Sequence, residues 1–578
     1  MIKLLAKSIR QYKKASILSP LFVTIEVILE VLIPLVMKDL IDKGIDMGDM
    51  NVILRLGGLL VVLAMASLLM GALSGKYCAI ASAGFAKNLR QDMYYKVQGF
   101  SFGNIDKFSS AGIVTRLTTD VANIQMAYMM IIRVAVRAPA MLTFALLSSF
   151  RINNRLALVF LCVLPILAAG LALIMSHAHP IFNRVFKTYD RMNNVVQENL
   201  HGFRVVKSFV REDYEVEKFS EVSGSIFKDF SKAEKILAFN GPLMQFCMYT
   251  CMLLLSWFGA RLIVSGSMTT GGLMSLITYT MQILMSLMML SMIFMMLTIS
   301  RASAERVTEL LREESDLHNP EQPLLQVADG SVRFKNVSFS YANDPERLCL
   351  QNVDLDIPSG ATVGIVGGTG SAKSTLVQLI PRLYDVTQGQ VLVGGKDVRD
   401  YDLETLRNEV AMVLQKNVLF SGTIKENLRW GDPQASDEEL IRACQLAHAD
   451  EFISQFPDAY DTYIEQGGVN VSGGQKQRLT IARALLKKPK ILILDDSTSA
   501  VDTATDAQIR RAFREEIPNT TKFIIAQRIS SVQDADLILV MDGGRVVAQG
   551  QHERLLKESP IYREVYESQQ KGDADHVA

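Results

Sequence analysis

Residues 361–375 read ATVGIVGGTGSAKST. The first six are a short apolar run of the kind that forms a strand buried on both faces. The run leads directly into a glycine-rich turn and then, from Lys373, into an apolar helical stretch, STLVQLI. Strand, Gly-rich loop and helix together make a phosphate cradle, built from backbone amides and a helix N-terminus. In that reading Gly367, Gly368, Thr369, Gly370, Ser371, Ala372 and Thr375 shape the loop, Lys373 reaches the β- and γ-phosphates, and Ser374 reaches Mg2+. One position departs from the pattern. The residue before the lysine is Ala372 rather than glycine, and a methyl group there crowds the phosphate or strains the loop.

Three further segments follow in a fixed order. Gln415 lies in VLQKNVLF, VSGGQKQR (471–478) opens a helix, and KILILDDSTSAVD (490–502) is a buried strand ending in two carboxylates. Asp495 stands where a carboxylate would hold Mg2+, directly or through water. Each segment alone has a chance-match reading; the set, in this order and spacing, does not. Upstream, VRFKNVSFSY (332–341) alternates like a half-buried strand. Residues 331–578 are therefore expected to form an α/β nucleotide-binding domain, with 301–330, polar and ending in Pro and Gly, as the linker before it.

The first 300 residues are a different material. The chain has 578 residues, 49% apolar and 21% charged, with a mean hydropathy of +0.19. That excludes a disordered, collagenous or small disulfide-framed protein. Net charge is zero, but residues 1–300 carry 29 basic and 18 acidic side chains, and the remainder 31 and 42. Of 27 methionines, 25 precede residue 301. Six windows are long and apolar enough to span a bilayer, near 16–37, 53–75, 126–150, 156–178, 239–264 and 271–299. An even number places both termini on one side, and Lys3, Lys7, Arg10, Lys13 and Lys14 make that side the cytoplasm. The start, MIKLLAKSIRQYKK, has too short an apolar run for a signal peptide and reads as an amphipathic surface helix. Residues 76–125 and 179–238 are polar and helical in pattern, long enough to project well beyond the membrane. The six cysteines show neither zinc spacing nor a disulfide framework, and Cys247 and Cys251 read as helix packing.

Two features inside the spans each carry two readings. Glu26 and Glu30 are one helical turn apart in the first span, and Arg133 and Arg137 in the third. They form an interhelical ion-pair ladder or line a cavity that attracts charged substrate. The last span carries Met274, Met281, Met285, Met288, Met289, Met292, Met295 and Met296, which fall all round the helix. They are ordinary packing residues or a surface that repacks around many ligands. The substrate-pathway candidates are Glu26, Glu30, Met281, Met285, Met288 and Met292.

Six spans ahead of this set of motifs resemble a half-transporter of the ATP-binding-cassette exporter type, the multidrug and lipid-flippase group. The likeness covers nearly the whole chain and implies the type I/IV ABC exporter architecture: an α-helical six-span transmembrane domain (1–300) followed by an α/β P-loop ATP-binding cassette. FSSAGIVTRLTTDV (108–121) and QENLHGFRVVKSFVRE (197–212) resemble the family's cytoplasmic loops, which press on the cassettes. The resemblance implies a dimer with two ATP molecules and Mg2+ between the cassettes. Tyr341 would stack on adenine, and Gln415 would touch Mg2+ and the transmembrane arms. Ser472, Gly473, Gly474 and Gln475 would meet the γ-phosphate of ATP held by the partner.

The chain departs from that family at two more positions. Members usually carry Glu, the base for the attacking water, where this chain has Asp496, and His at the switch-loop position held here by Gln527 in FIIAQRIS. The aspartate carboxylate is set back by about 1.5 Å, and a misplacement of about 1 Å can cost on the order of a hundredfold in rate. The glutamine hydrogen-bonds but takes up no proton charge. Ala372, Asp496 and Gln527 all serve one composite site, whereas VSGGQ, which serves the other, is intact. This resembles the degenerate-site subunit of bacterial heterodimeric exporters. The expected function is ATP-driven export of amphipathic small molecules across the plasma membrane. The expected partner is a second half-transporter with intact Glu and His, and no nucleic-acid partner is expected. The alternatives are a lipid or peptide exporter, a homodimer, or an ATP-gated protein that does not pump.

Overall fold

The computed structural model describes residues 1–575 apart from Asn343, Thr498 and Ser499, and without the side chains of Asn183, Phe186, Asp190, Met295, Ile299 and 571–575. Met295 of the last-span series thus falls outside the described side chains. The chain divides into two units, Met1–Gln98 with Ser110–Glu313, and Gly99–Ser109 with Glu314–Ala578.

The first unit holds six helices long and apolar enough to cross a membrane. Its long helices are α1 (Lys13–Leu40), α2 (Met50–Gln98), α3 (Val121–Ile152), α4 (Asn154–Ser208), α5 (Glu212–Leu237), α6 (Asn240–Val264) and α7 (Thr270–Arg312), α5 and α6 together making the fifth of the six. At about 1.5 Å per residue, α2 and α4 outrun the roughly 30 Å bilayer core and continue into the polar arms without a break. Val31 of α1, Ala145 of α3, Phe160 of α4, Cys251 of α6 and Tyr279 of α7 meet in one core. Backbone polarity there is answered locally. Tyr279 Oη donates to the Val31 carbonyl at 2.6 Å and Ser275 Oγ to that of Pro34, also at 2.6 Å. All six cysteines are free, and Cys247 and Cys251 are buried as packing residues. The N-terminal segment is not a free surface helix. Asn88 Nδ2 donates to the Ser8 carbonyl at 2.8 Å, and Gly84, with no Cβ, lets the Tyr12 ring lie against α2.

Helix α7 runs on to Arg312, through the first twelve residues of the stretch expected as linker. RASAERVTELLR looks polar, yet Ala304, Val307 and Leu310 recur at helical spacing and are buried. Arg306 pairs with Asp120, and Arg116 with Glu309 at 2.9 Å, which fixes this extension within the unit.

The second unit is the α/β cassette. Its strands are β1 (Val332–Phe339), β2 (Leu350–Ile357), β3 (Thr362–Gly367), β4 (Gln388–Val393), β5 (Lys396–Asp397), β6 (Val410–Val413), β7 (Gly422–Thr423), β8 (Tyr463–Ile464), β9 (Ile491–Asp495), β10 (Thr521–Ile525), β11 (Leu537–Asp542) and β12 (Arg545–Gly550). Four of them form an antiparallel sheet ordered β2-β1-β4-β5. Six form a sheet ordered β12-β11-β3-β10-β9-β6, parallel except at β12. The helices that matter to the site are α8 (Lys373–Gln378), α9 (Gly473–Leu486), α10 (Thr503–Glu516) and α11 (Pro560–Asp575). Strands β9 and β10 are buried along their whole length, as continuous apolar runs in a covered parallel sheet should be. Because β3, β10 and β9 are neighbours pointing the same way, the loops after them emerge side by side at one edge. Ligands bind at that carboxyl edge in open α/β sheets.

Candidate nucleotide site

The loop after β3 is the glycine-rich turn. Gly367 has φ +154°, and an added Cβ would lie 2.2 Å from the Met541 carbonyl oxygen. No other residue fits there. Ala372, the N-cap of α8, is left-handed with φ +68° and ψ +26°. The alternative of a strained loop is therefore realised in the backbone itself: an L-residue in this region costs roughly 1–2 kcal/mol, which glycine avoids.

Lys373 Nζ folds back onto the loop and donates to the carbonyls of Gly367 and Gly368 at 2.9 and 2.8 Å. Burial lowers the pKa of its ammonium from the usual lysine value, against the pull of Asp495 and Asp496. One residue on, Ser374 Oγ donates to Asp495 Oδ1 at 2.9 Å, joining the end of β9 to the start of α8. Burial raises the Asp495 carboxyl above the ordinary aspartate range, opposed by the Ser374 bond, reinforced by Asp496 and opposed again by Lys373. Two hard oxygen donors this close suit a small divalent cation that takes its remaining ligands from phosphate and water.

Asp496 leaves β9 in a left-handed turn, φ +50°, its amide bonded to the Ile525 carbonyl at 3.1 Å. Gln527, two residues past β10, donates from Nε2 to Asp496 Oδ2 at 2.8 Å. Asp496 and Gln527, two of the three residues singled out from the sequence at this site, are thus bonded to each other. Tyr341 is half exposed beside this loop, with its hydroxyl 3.0 Å from Thr375 Oγ1 and 3.2 Å from Gln378 Oε1. Its ring packs edge-on against Phe339 and Tyr384. Gln415 is exposed two residues beyond β6, the strand next to β9.

Ser472, Gly473, Gly474 and Gln475, the signature residues, stand at the start of α9. Ser472 caps α9 in a reciprocal box: its Oγ accepts from the Gln475 amide at 3.3 Å, and its own amide donates to Gln475 Oε1 at 2.9 Å. Gly474 lies against the loop after β9, where a Cβ would come 2.8 Å from the Ala500 carbonyl oxygen, and Gln477 Oε1 accepts from the Ala500 amide at 3.0 Å. Ser472 and Gly473 remain exposed.

The ABC transporter transmembrane region family matches residues 16–288, and the ABC transporter family matches residues 350–499. An ABC transporter ATP-binding protein of Bacillus subtilis (strain 168), YfiB, is 37% identical over 544 residues, 94% of either chain. The chain belongs to the ABC transporter family. The ATP-dependent lipid A-core flippase of Desulfotalea psychrophila (strain LSv54 / DSM 12343) is 34% identical over 458 residues, 79% of this chain and 80% of the flippase. The structure of a bacterial Atm1-family ABC exporter with ATP bound superposes with a TM-score of 0.83 at 26% identity, over 96% of this chain and 99% of that one. This ABC transporter is a multi-pass exporter half and a nucleotide-binding transport ATPase.

In the exporter's membrane unit, Glu26 and Glu30 both face Arg137, at 2.5 and 2.8 Å. The structure builds an ion pair but not the full ladder: among the described residues Arg137 serves both carboxylates, and Arg133, whose guanidinium lies beside Gly75, pairs with neither. The methionines do not fall all round α7, as the sequence reading had it. At about 100° per residue their three- and four-residue spacings keep them within roughly a third of the circumference. Met281, Met285 and Met292 are exposed on that stripe, and Met288 is half-buried beside it. Sequence reasoning missed Tyr384 and Gln569. Both sit beside site loops in space, but neither carries a spacing signal.

Proposed function

We propose that this chain is one half of a heterodimeric exporter of amphipathic small molecules, contributing the degenerate ATP site and an intact signature. The observation that carries it is the 2.8 Å bond from Gln527 Nε2 to Asp496 Oδ2. An amide donor engages the shortened carboxylate at the place where catalysis needs a free base and a chargeable switch residue. ATP held by the Tyr341 ring, the 367–375 loop, Lys373 and Mg2+ at Ser374 and Asp495 would be bound and turned over slowly here. Hydrolysis would run at the partner's site, completed by Ser472–Gln475 of this chain. Both termini would face the cytoplasm.

Assembly as a dimer is supported by surfaces left open. The turn between α4 and α5 exposes Phe209 and Val210, 73% and 80% accessible. The cassette carries a groove of about 330 Å³ lined by Val418, Phe420, Trp430 and Arg483, with the Phe420 and Trp430 rings stacked at 4.2 Å. The tip of one chain would enter the partner's groove. A second reading, a lipid substrate, is favoured by the relative named as a lipid A-core flippase.

The test is affinity purification of the tagged chain from its native membrane, then ATP-dependent uptake into inverted vesicles. The expected result is a stoichiometric second half-transporter with Glu and His opposite Asp496 and Gln527, and dye uptake that drops less than about threefold in Asp496→Asn. Transport by copies of this chain alone, or collapse in Asp496→Asn, overturns the reading. Uptake of a fluorescent lipid but not of dye selects the second substrate class.

A further inference from the structure

Helix α11 belongs to none of the sequence motifs, yet it reaches the loop that carries Gln527. Its base is anchored: Tyr562 is fully buried, with its hydroxyl 2.8 Å from His552 Nδ1, and Tyr566 packs edge-on against the same imidazole. Seven residues after Tyr562, on the same helical face, stands Gln569. It uses both ends of its amide. Oε1 accepts from the Ile529 amide at 2.9 Å, and Nε2 donates to the Gln527 carbonyl at 2.8 Å. From the other side, Ser531 Oγ donates to Asp506 Oδ2 of α10 at 2.9 Å.

Both Gln569 bonds go to backbone groups that bracket Arg528. They therefore fix the path of the chain through residues 527–529 whatever side chains those residues carry. The Gln527 side chain leaves that fixed backbone to reach Asp496 Oδ2 at 2.8 Å. A helix that merely covered the cassette would need apolar contacts. A paired donor and acceptor aimed at one N–H and one C=O two residues apart does the work of a neighbouring strand, just where β10 has ended.

We infer that Gln569 is a positioning residue for the ATP held by this chain: its clamp sets where Gln527 stands over the nucleotide, and hence how long the nucleotide stays. The inference rests on reading Gln527 as the switch-loop residue.

The experiment uses the assembled transporter in lipid nanodiscs, loaded with 8-azido-ATP and Mg2+, chased with unlabelled ATP and photolysed at intervals. Label on this chain's own band reports retention at its P-loop. Gln569→Met keeps the size and removes both bonds, Gln569→Glu keeps only the acceptor, and Tyr562→Phe loosens the helix base without touching the clamp. Gln569→Met is expected to speed loss of label about three- to tenfold, the factor that roughly one hydrogen bond carries. Gln569→Glu should fall between, with thermal midpoints unmoved and Tyr562→Phe like the parent. Faster loss in Gln527→Ala but not in Gln569→Met overturns the clamp, as does an equal effect of Tyr562→Phe. Unchanged retention in Gln527→Ala overturns the switch-loop reading, and the clamp with it.

Discussion

Ser374 and Asp495 are joined at 2.9 Å across the gap between α8 and β9, and the carboxyl in that bond is raised by its burial. A carboxyl whose folded pKa lies above its unfolded one binds more protons in the folded chain. It therefore lowers metal-free stability as pH rises from the ordinary aspartate value through the raised one, and the loss persists above. A divalent cation on the carboxylate reverses the penalty. Asp495→Asn is expected to raise the thermal midpoint in EDTA, most clearly at neutral pH, and to abolish the extra rise that Mg2+ gives over ATP alone. A Mg2+-dependent rise that survives the substitution would place the metal elsewhere.

Ala372 gives a prediction whose sign is the test. Replacing an alanine by glycine within a helix costs about 1 kcal/mol. At φ +68° the same change removes a left-handed strain of that size or more. Ala372→Gly should be neutral or stabilising by up to about 1 kcal/mol and should tighten ATP binding, read by thermal denaturation and by nucleotide titration. A loss of about 1 kcal/mol would mean that the backbone there is ordinary helix.

The cassette's part in the site was legible because each piece is local. An apolar run makes β3 or β9, and the residues just beyond it in sequence are the ones that reach the edge. What required three dimensions was pairing. Nothing in the spacing of Glu26, Glu30 and Arg137 says that one guanidinium serves both carboxylates. Nor does a glutamine in a polar C-terminal helix announce two bonds to a loop about forty residues upstream. The extension of α7 was hidden for another reason: its buried stripe of Ala304, Val307 and Leu310 is diluted by Arg and Glu on the exposed faces.

The membrane triad should behave as a unit. Among the described residues, one buried carboxylate oxygen of Glu26 has no hydrogen bond, and Arg137 supplies the compensation for the pair. Removing one member of a buried pair costs about 3–5 kcal/mol, whereas replacing the whole set by apolar or neutral groups is often close to neutral. Arg137→Leu is expected to lower yield and thermal midpoint sharply. The triple change Glu26→Gln, Glu30→Gln, Arg137→Leu should recover most of both in detergent. Only that triple variant tests a pathway role, because neutralising the two carboxylates alone strands the guanidinium. If it folds and loses export of cationic dyes while keeping neutral ones, the carboxylates also face substrate.

The last prediction separates action in trans from action in cis at the signature. Gly474 cannot make the distinction cleanly, because a Cβ there would come 2.8 Å from the Ala500 carbonyl oxygen of its own chain and disturb the loop that follows Asp495 and Asp496. Gly473 can. Among the described residues a Cβ there meets only the Ala500 Cβ at 3.5 Å, an ordinary contact, and the residue is exposed. Gly473→Asp adds a negative charge to the first turn of the fourteen-residue helix α9. The helix itself gains roughly 0.3–1 kcal/mol from that charge, so the cassette stays folded. An anion approaching the same N-terminus from a partner chain is repelled. ATP turnover by the assembled transporter is expected to fall at least tenfold, while 8-azido-ATP labelling of this chain's own P-loop stays within twofold of the parent. Unchanged turnover would show that this signature serves no partner ATP, and loss of the local label would show that it acts on the nucleotide of its own chain.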